Sequence, residues 1–212
     1  MDPKEYLRTL RSLHGVAELL LAGPQYRASG TIRLAAAPGG FATTAAPRLA
    51  VAGDVLSADG AEVGALSGST YAALAATAGV SAEPPRGVYA DGSGVAPQDT
   101  IEVDPACARV IAAAFETGDR ALRAFAPEAT PVLWPEHFDL ALTVAEVNYG
   151  VSPGDGAIGE PYAYVGPWSR REGPFWNVSF GAARTLTELS DAEGVREFFA
   201  EGAREAGGER SE

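Results

Sequence analysis

Two short stretches carry residues whose types and spacing suit acid–base chemistry: Glu136-His137-Phe138-Asp139 and Glu160-Pro161-Tyr162-Ala163-Tyr164. In a strand, alternate residues share a face. Phe138, Leu140, Leu142 and Val144 would then take one side, and His137, Asp139, Ala141 and Thr143 the other. Glu160, Tyr162 and Tyr164 share a face by the same rule. Histidine titrates nearest neutral pH, so His137 is the expected general acid/base, oriented by Asp139 or Glu160. Tyr162, Tyr164 and Trp168 are the expected stacking surface, with Asn148 and Asp155 as further ligand contacts. The same set would also hold one divalent ion, although a solvated sheet face needs no ligand. No metal site and no cofactor is assigned.

The surroundings of these residues are unusual. Nine aromatics, including all three tryptophans, fall between Trp134 and Phe180, and six carboxylates with no Lys or Arg lie between Glu128 and Ser169. Such a segment suits a pocket for a small neutral or cationic ligand. The alternative is an aromatic core with an acidic rim. Other signals fail on context. Gly154-Asp155-Gly156-Ala157-Ile158-Gly159 matches G-x-G-x-x-G, but Pro153 precedes it and a strand-like segment follows. A dinucleotide site needs a helix to begin there, so a loop is expected instead. Cys107 and His14 both fall on apolar helix stripes and read as core residues. Ser67, Ser93 and Ser152 are loop serines without the elbow that exposes a nucleophile.

These residues need elements to hold them. Asp2-Pro3 opens a helix over 3–22 that Gly23-Pro24 should stop. Strands are expected at 31–36, 41–45, 48–51, 55–57 and 62–66, then a short helix at 70–78 and a loop at 81–103. Asp104-Pro105 opens a helix over 105–125. Strands return at 131–134, 138–144, 147–149, 161–166 and 182–186. A last helix over 191–206 should start from a capping box at Ser190 and Glu193 and stop at Gly207-Gly208. Short turns between successive strands favour antiparallel pairing and an α+β fold. The chain is expected to form one compact domain, or two packed halves, 1–80 and 104–206, joined by the loop.

The segments Leu133-Trp134-Pro135-Glu136-His137-Phe138-Asp139-Leu140-Ala141, Asn148-Tyr149-Gly150-Val151-Ser152-Pro153-Gly154-Asp155, Glu160-Pro161-Tyr162-Ala163-Tyr164-Val165 and Phe175-Trp176-Asn177 resemble an uncharacterised bacterial domain-of-unknown-function family. The resemblance spans about residues 131–200 and implies no reaction, cofactor or catalytic residue.

Composition bounds the partners. Twenty-eight acidic residues against 16 basic ones make the formal charge −12, which argues against nucleic acid and against anionic membranes. A single cysteine excludes an internal disulfide framework. No apolar run near the start resembles a signal peptide, so a cytoplasmic protein is expected. The leading function is binding of a small molecule on the polar, aromatic face of the second half, with an enzyme using His137 as its more specific form. The alternatives are a protein-interaction or self-association module, forming a homo-oligomer through Trp168, Phe175 and Trp176, and a metal-binding protein built on His137.

Overall fold

The computed structural model describes residues 2–90 and 92–207, so Asp91 and Gly208, read above as loop and helix stop, lie outside it. The fold is α+β with ten antiparallel strands. The chain divides into two compact units, Met1–Ala113 with Val132–Phe138, and Ala114–Pro131 with Asp139–Glu212. The 81–103 stretch lies inside the first of them.

In the first unit, α1 (Pro3–Gly15) and α2 (Gly23–Ser29) flank a π-helical stretch, Val16–Ala22. Asp2 caps α1 by accepting the Lys4 N–H at 2.9 Å, and Pro3 occupies the first turn, where its missing N–H costs nothing. The expected stop at Gly23-Pro24 does not occur, and the rod continues to Ser29. Proline breaks an α-helix by removing an i→i−4 bond and crowding that carbonyl. Here it follows the π stretch, whose wider turns bond Gly23 N–H to Glu18 O, so the register is already changing at that point. The stop comes at Gly30, in the left-handed region with φ 71°.

Strands β1 (Leu34–Ala37), β2 (Gly40–Thr43), β3 (Leu49–Ala52), β4 (Val55–Ala58) and β5 (Ala61–Ala65) form a meander, with β6 (Val132–Trp134) beside β1. Leu34, Phe41, Leu49, Val51 and Leu56 are buried from the strands, and Val16 and Leu19–Leu21 from the rod. Gln25, fully buried, ties rod to sheet: its amide donates to Thr31 O and Arg33 O, and its oxygen accepts from the N–H groups of Thr44 and Ala45. All its polar valences are used, which is the condition for burying an amide without a penalty. The short helix α3 (Tyr71–Thr77) is capped by Thr70.

Helix α4 (Pro105–Phe125) belongs to the first unit up to Ala113 and to the second from Ala114. Asp104 caps it as expected, accepting from the N–H groups of Ala106 and Cys107. The second unit contains β7 (Asp139–Val144), β8 (Val147–Ser152), β9 (Tyr162–Pro167) and β10 (Ala182–Thr185), each antiparallel to the next. One face is apolar. Its Tyr149 packs between Phe125 of α4 and Phe199 of α6 (Ala192–Gly207), at 4.6 and 5.8 Å between ring centres. Two helix glycines permit the close approach: a Cβ at Gly118 would stand 2.9 Å from Val151, and one at Gly202 would stand 2.7 Å from Val165.

The expected capping box at Ser190 and Glu193 is corrected. The box is formed by Thr185 and Glu188 and heads a short helix, α5 (Leu186–Leu189). Ser190 has φ 69°, whereas an N-cap needs extended backbone, and Glu193 pairs with Arg196 instead. Asp191 starts α6, accepting from the N–H groups of Glu193 and Gly194.

A Cβ at Gly23 would lie 1.7 Å from the Glu83 carbonyl oxygen, a backbone atom that cannot swing aside. Gly23→Ala is therefore expected to cost about 2–3 kcal/mol by overpacking and to lower Tm by roughly 4–10 °C in a thermal melt. Gly156→Ala, with open space around it, should leave Tm unchanged.

Candidate functional site

The second unit carries the polar face that alternation predicts, with different members. Ala141, Gly150, Tyr164 and Ala183 are aligned across the four strands, which places Asp139, Ser152 and Tyr162 on the same side, two residues along. Asp139 is buried, 7% exposed, and its carboxylate accepts the Tyr164 hydroxyl hydrogen bond. The Tyr164 ring lies across Gly150, where a Cβ would meet it at 2.5 Å. Tyr162 donates to Asp155 Oδ2 at 2.5 Å, while Asp155 Oδ1 accepts from the N–H groups of Ala157 and Ile158. Asp155 thus closes the glycine-rich turn, which is a loop and not the start of a helix. Burial, followed by the facing carboxylates, pushes both tyrosine hydroxyls well above their ordinary value. They hold their protons and serve as donors to carboxylates.

The other two members of the expected acid–base set lie off these strands. His137 falls in the turn 135–138, where Phe138 has φ 52° and its N–H bonds to Trp134 O. The strand begins only at Asp139, so alternation does not extend to His137. Its side chain is 65% exposed, with Nε2 3.3 Å from Glu136 Oε1. Glu160 is exposed in the turn before β9.

Beside the tyrosine face, residues 167–181, an excursion running from the end of β9 to β10, line an open cleft of about 670 Å³. Trp168, Arg170, Arg171, Glu172, Trp176 and Phe180 line it. Trp168 is 66% exposed yet anchored. Its backbone N–H donates to Glu146 O at 2.9 Å and its indole N–H to Asn148 Oδ1 at 3.3 Å, an oxygen that also accepts from Thr143. Asn148 therefore positions Trp168. Next to Trp176, Asn177 ties the excursion to β10, its side chain bonding both the N–H and the carbonyl of Ala183. Phe180 packs edge-on against Tyr164 at 6.3 Å. Sequence reasoning picked out Trp168 but missed Arg170 and Arg171, because the acidic stretch it weighed ended at Ser169.

The first unit holds a second polar cluster. His14 Nε2 lies 2.8 Å from Pro135 O, and its ring stacks on Phe138 at 5.5 Å, the core role expected for it. One turn on, Glu18 is buried in the π-helical stretch, and its Oε2 accepts from the N–H and the hydroxyl of Ser93 at 3.0 and 2.6 Å. The Tyr89 hydroxyl is pushed up by burial and then by Glu18. Burial is also the main reason His14 sits below its ordinary value, with the His137 charge acting in the same direction. Glu18 stands out in the sequence as an acid interrupting an apolar run, but nothing there ties it to Ser93 or Tyr89.

Glu5, Asp104 and Cys107 bring one ligand-type atom each within 4.8 Å of one another, and among the described residues His137 is in no such group. Asp104 is engaged by the start of α4, and burial keeps the Cys107 thiol protonated, so this group reads as a helix cap.

No family model, curated protein or solved structure matches the chain. No helix among the described residues is long and apolar enough to cross a membrane.

Tyr164→Phe keeps the ring over Gly150 and removes one donor from buried Asp139. It is expected to cost about 1–3 kcal/mol, read by urea unfolding at pH 7. A hydroxyl whose folded value is raised contributes stability that is complete below its unfolded value near 10 and lost as pH rises past it. The wild type should therefore lose stability more steeply above pH 10 than Tyr164→Phe. His14 has the opposite sense. Its folded value is lowered, so its contribution is complete above 6.5 and is lost as pH falls below that. His14→Gln should flatten the decline in stability between pH 6.5 and 5, measured by the same unfolding series.

Proposed function

We propose that the second unit binds a small molecule in the cleft walled by Trp168, Trp176 and Phe180. The observation that carries this reading is a large aromatic, 66% exposed and anchored by two hydrogen bonds, that lines a cleft of about 670 Å³. Exposed tryptophan is costly, and one fixed at its backbone and its indole N–H loses little freedom when a ring stacks on it. The volume falls within the span of small-molecule sites. The tyrosine–carboxylate face supports the cleft from beside it, since Tyr164 packs on Phe180 while its hydroxyl is spent on Asp139. Binding, and not acid–base catalysis by His137, is what the side-chain partners favour, since Asp139 is occupied by Tyr164 and His137 faces Glu136.

The three tryptophans make the test direct. Trp168 and Trp176 line the cleft, whereas Trp134 lies in the first unit under Arg33. A fragment library screened by 15N NMR should contain members that move the Trp168 and Trp176 indole N–H signals and leave Trp134 in place. Trp168→Ala should abolish the Trp176 response with Tm unchanged within about 2 °C, because the Trp168 ring is exposed. A library that moves neither cleft tryptophan would overturn the reading.

A further inference from the structure

We infer that the ligand of this cleft is an anion with a planar aromatic body, its ring on Trp168 and its oxyanion held by Arg170 and Arg171; this rests on the binding reading above. The carboxylates that suggest a neutral or cationic ligand in the sequence are placed elsewhere. Asp139 is occupied by Tyr164, and Asp155 by Tyr162 and two loop amides. The charged side chains of the cleft are two arginines and one glutamate, a local charge of +1 in a chain of −12. Arg170 reaches Glu172 only at 3.9 Å, with both side chains more than four-fifths exposed, a pairing that holds neither in place. Arg171 makes no ion pair among the described residues.

At physiological salt the screening length is about 8 Å, so the charges within the cleft weigh more in recognition than those farther off. A guanidinium presents a planar fork of donors that fits carboxylate or phosphate oxygens in pairs. A cage for a cation needs aromatic faces without competing positive charge, and two adjacent arginines defeat that use of Trp168 and Trp176. An aliphatic anion would satisfy the arginines but leave the fixed indole face unused. An anion on an aromatic ring uses both, with phosphate and carboxylate forms sharing the chemistry.

Four probes with the same ring separate the terms: phenyl phosphate, benzoate, benzyl alcohol and benzamidine, titrated into the full chain while the three indole N–H signals are followed. Phenyl phosphate and benzoate should move Trp168 and Trp176, binding about tenfold tighter than benzyl alcohol, as expected for one charge-assisted contact. Benzamidine should bind more weakly than benzyl alcohol. The Arg170→Ala/Arg171→Ala double variant should lose the tenfold anion preference and keep its benzyl alcohol affinity, with an unmoved Trp134 signal as the folding control. If all four probes move the cleft tryptophans equally, or benzamidine binds best, the anion assignment falls while the binding site stands. If none of the four moves Trp168 but library fragments do, the anion assignment again falls alone. If neither the probes nor the library moves Trp168 or Trp176, both fall.

Discussion

A carboxylate removed from water must find hydrogen-bond donors, and in the second unit that requirement arranges the polar face. Asp139 opens β7 and is buried there, so the strand two places away must supply a donor. Tyr164 does so, and its ring can reach only because Gly150, between them on β8, has no side chain. Asp155 and Tyr162 repeat the arrangement at the end of the sheet, where the same carboxylate also closes the glycine-rich turn. Two of the tyrosines that would make a stacking surface are thereby used up inside the protein. The aromatic surface left exposed beside them is Trp168 and the 167–181 excursion, which these pairs support through Phe180.

The first unit meets the same constraint with different devices. Glu18 and Gln25 point from one continuous helical rod into places without water, and the chain brings backbone donors and acceptors to them. Ser93 comes to Glu18, and the 31–45 region comes to Gln25. The π-helical stretch turns Glu18 and lets the rod pass Gly23-Pro24, while Gly23 admits the Glu83 carbonyl. Beyond the apolar core, these polar groups tie helix, loop and sheet of this unit together.

Much of the fold was legible, since strand alternation and capping are local physics. Helix α4 was marked by Asp104-Pro105 at one end, and the five-strand meander by its turns. The failures share a cause. Gly23-Pro24 signals a stop only if the helix before it is α-helical, and a π turn is a response to packing with no residue signature. Ser190 and Thr185 both stand three residues before a glutamate, and what separates them is a backbone angle, extended at Thr185 and left-handed at Ser190, that residue type does not fix. His137 was extrapolated two residues beyond the strand because periodicity carries no information about where a strand begins.

By itself the sequence determined the α+β class, the antiparallel pairing and the alternation that puts Tyr162 and Tyr164 on one face of their strand, because each follows from residue type and period within a few neighbours. The register of the paired strands then set Asp139 on that side. Only the tertiary structure decided what those residues are for. Whether a carboxylate is a free base or a satisfied core group depends on the donor that packs against it. For Asp139 that donor is 25 residues away in the chain. The same holds for Arg170 and Arg171, which the fold brings to one cleft with Trp168 and Trp176.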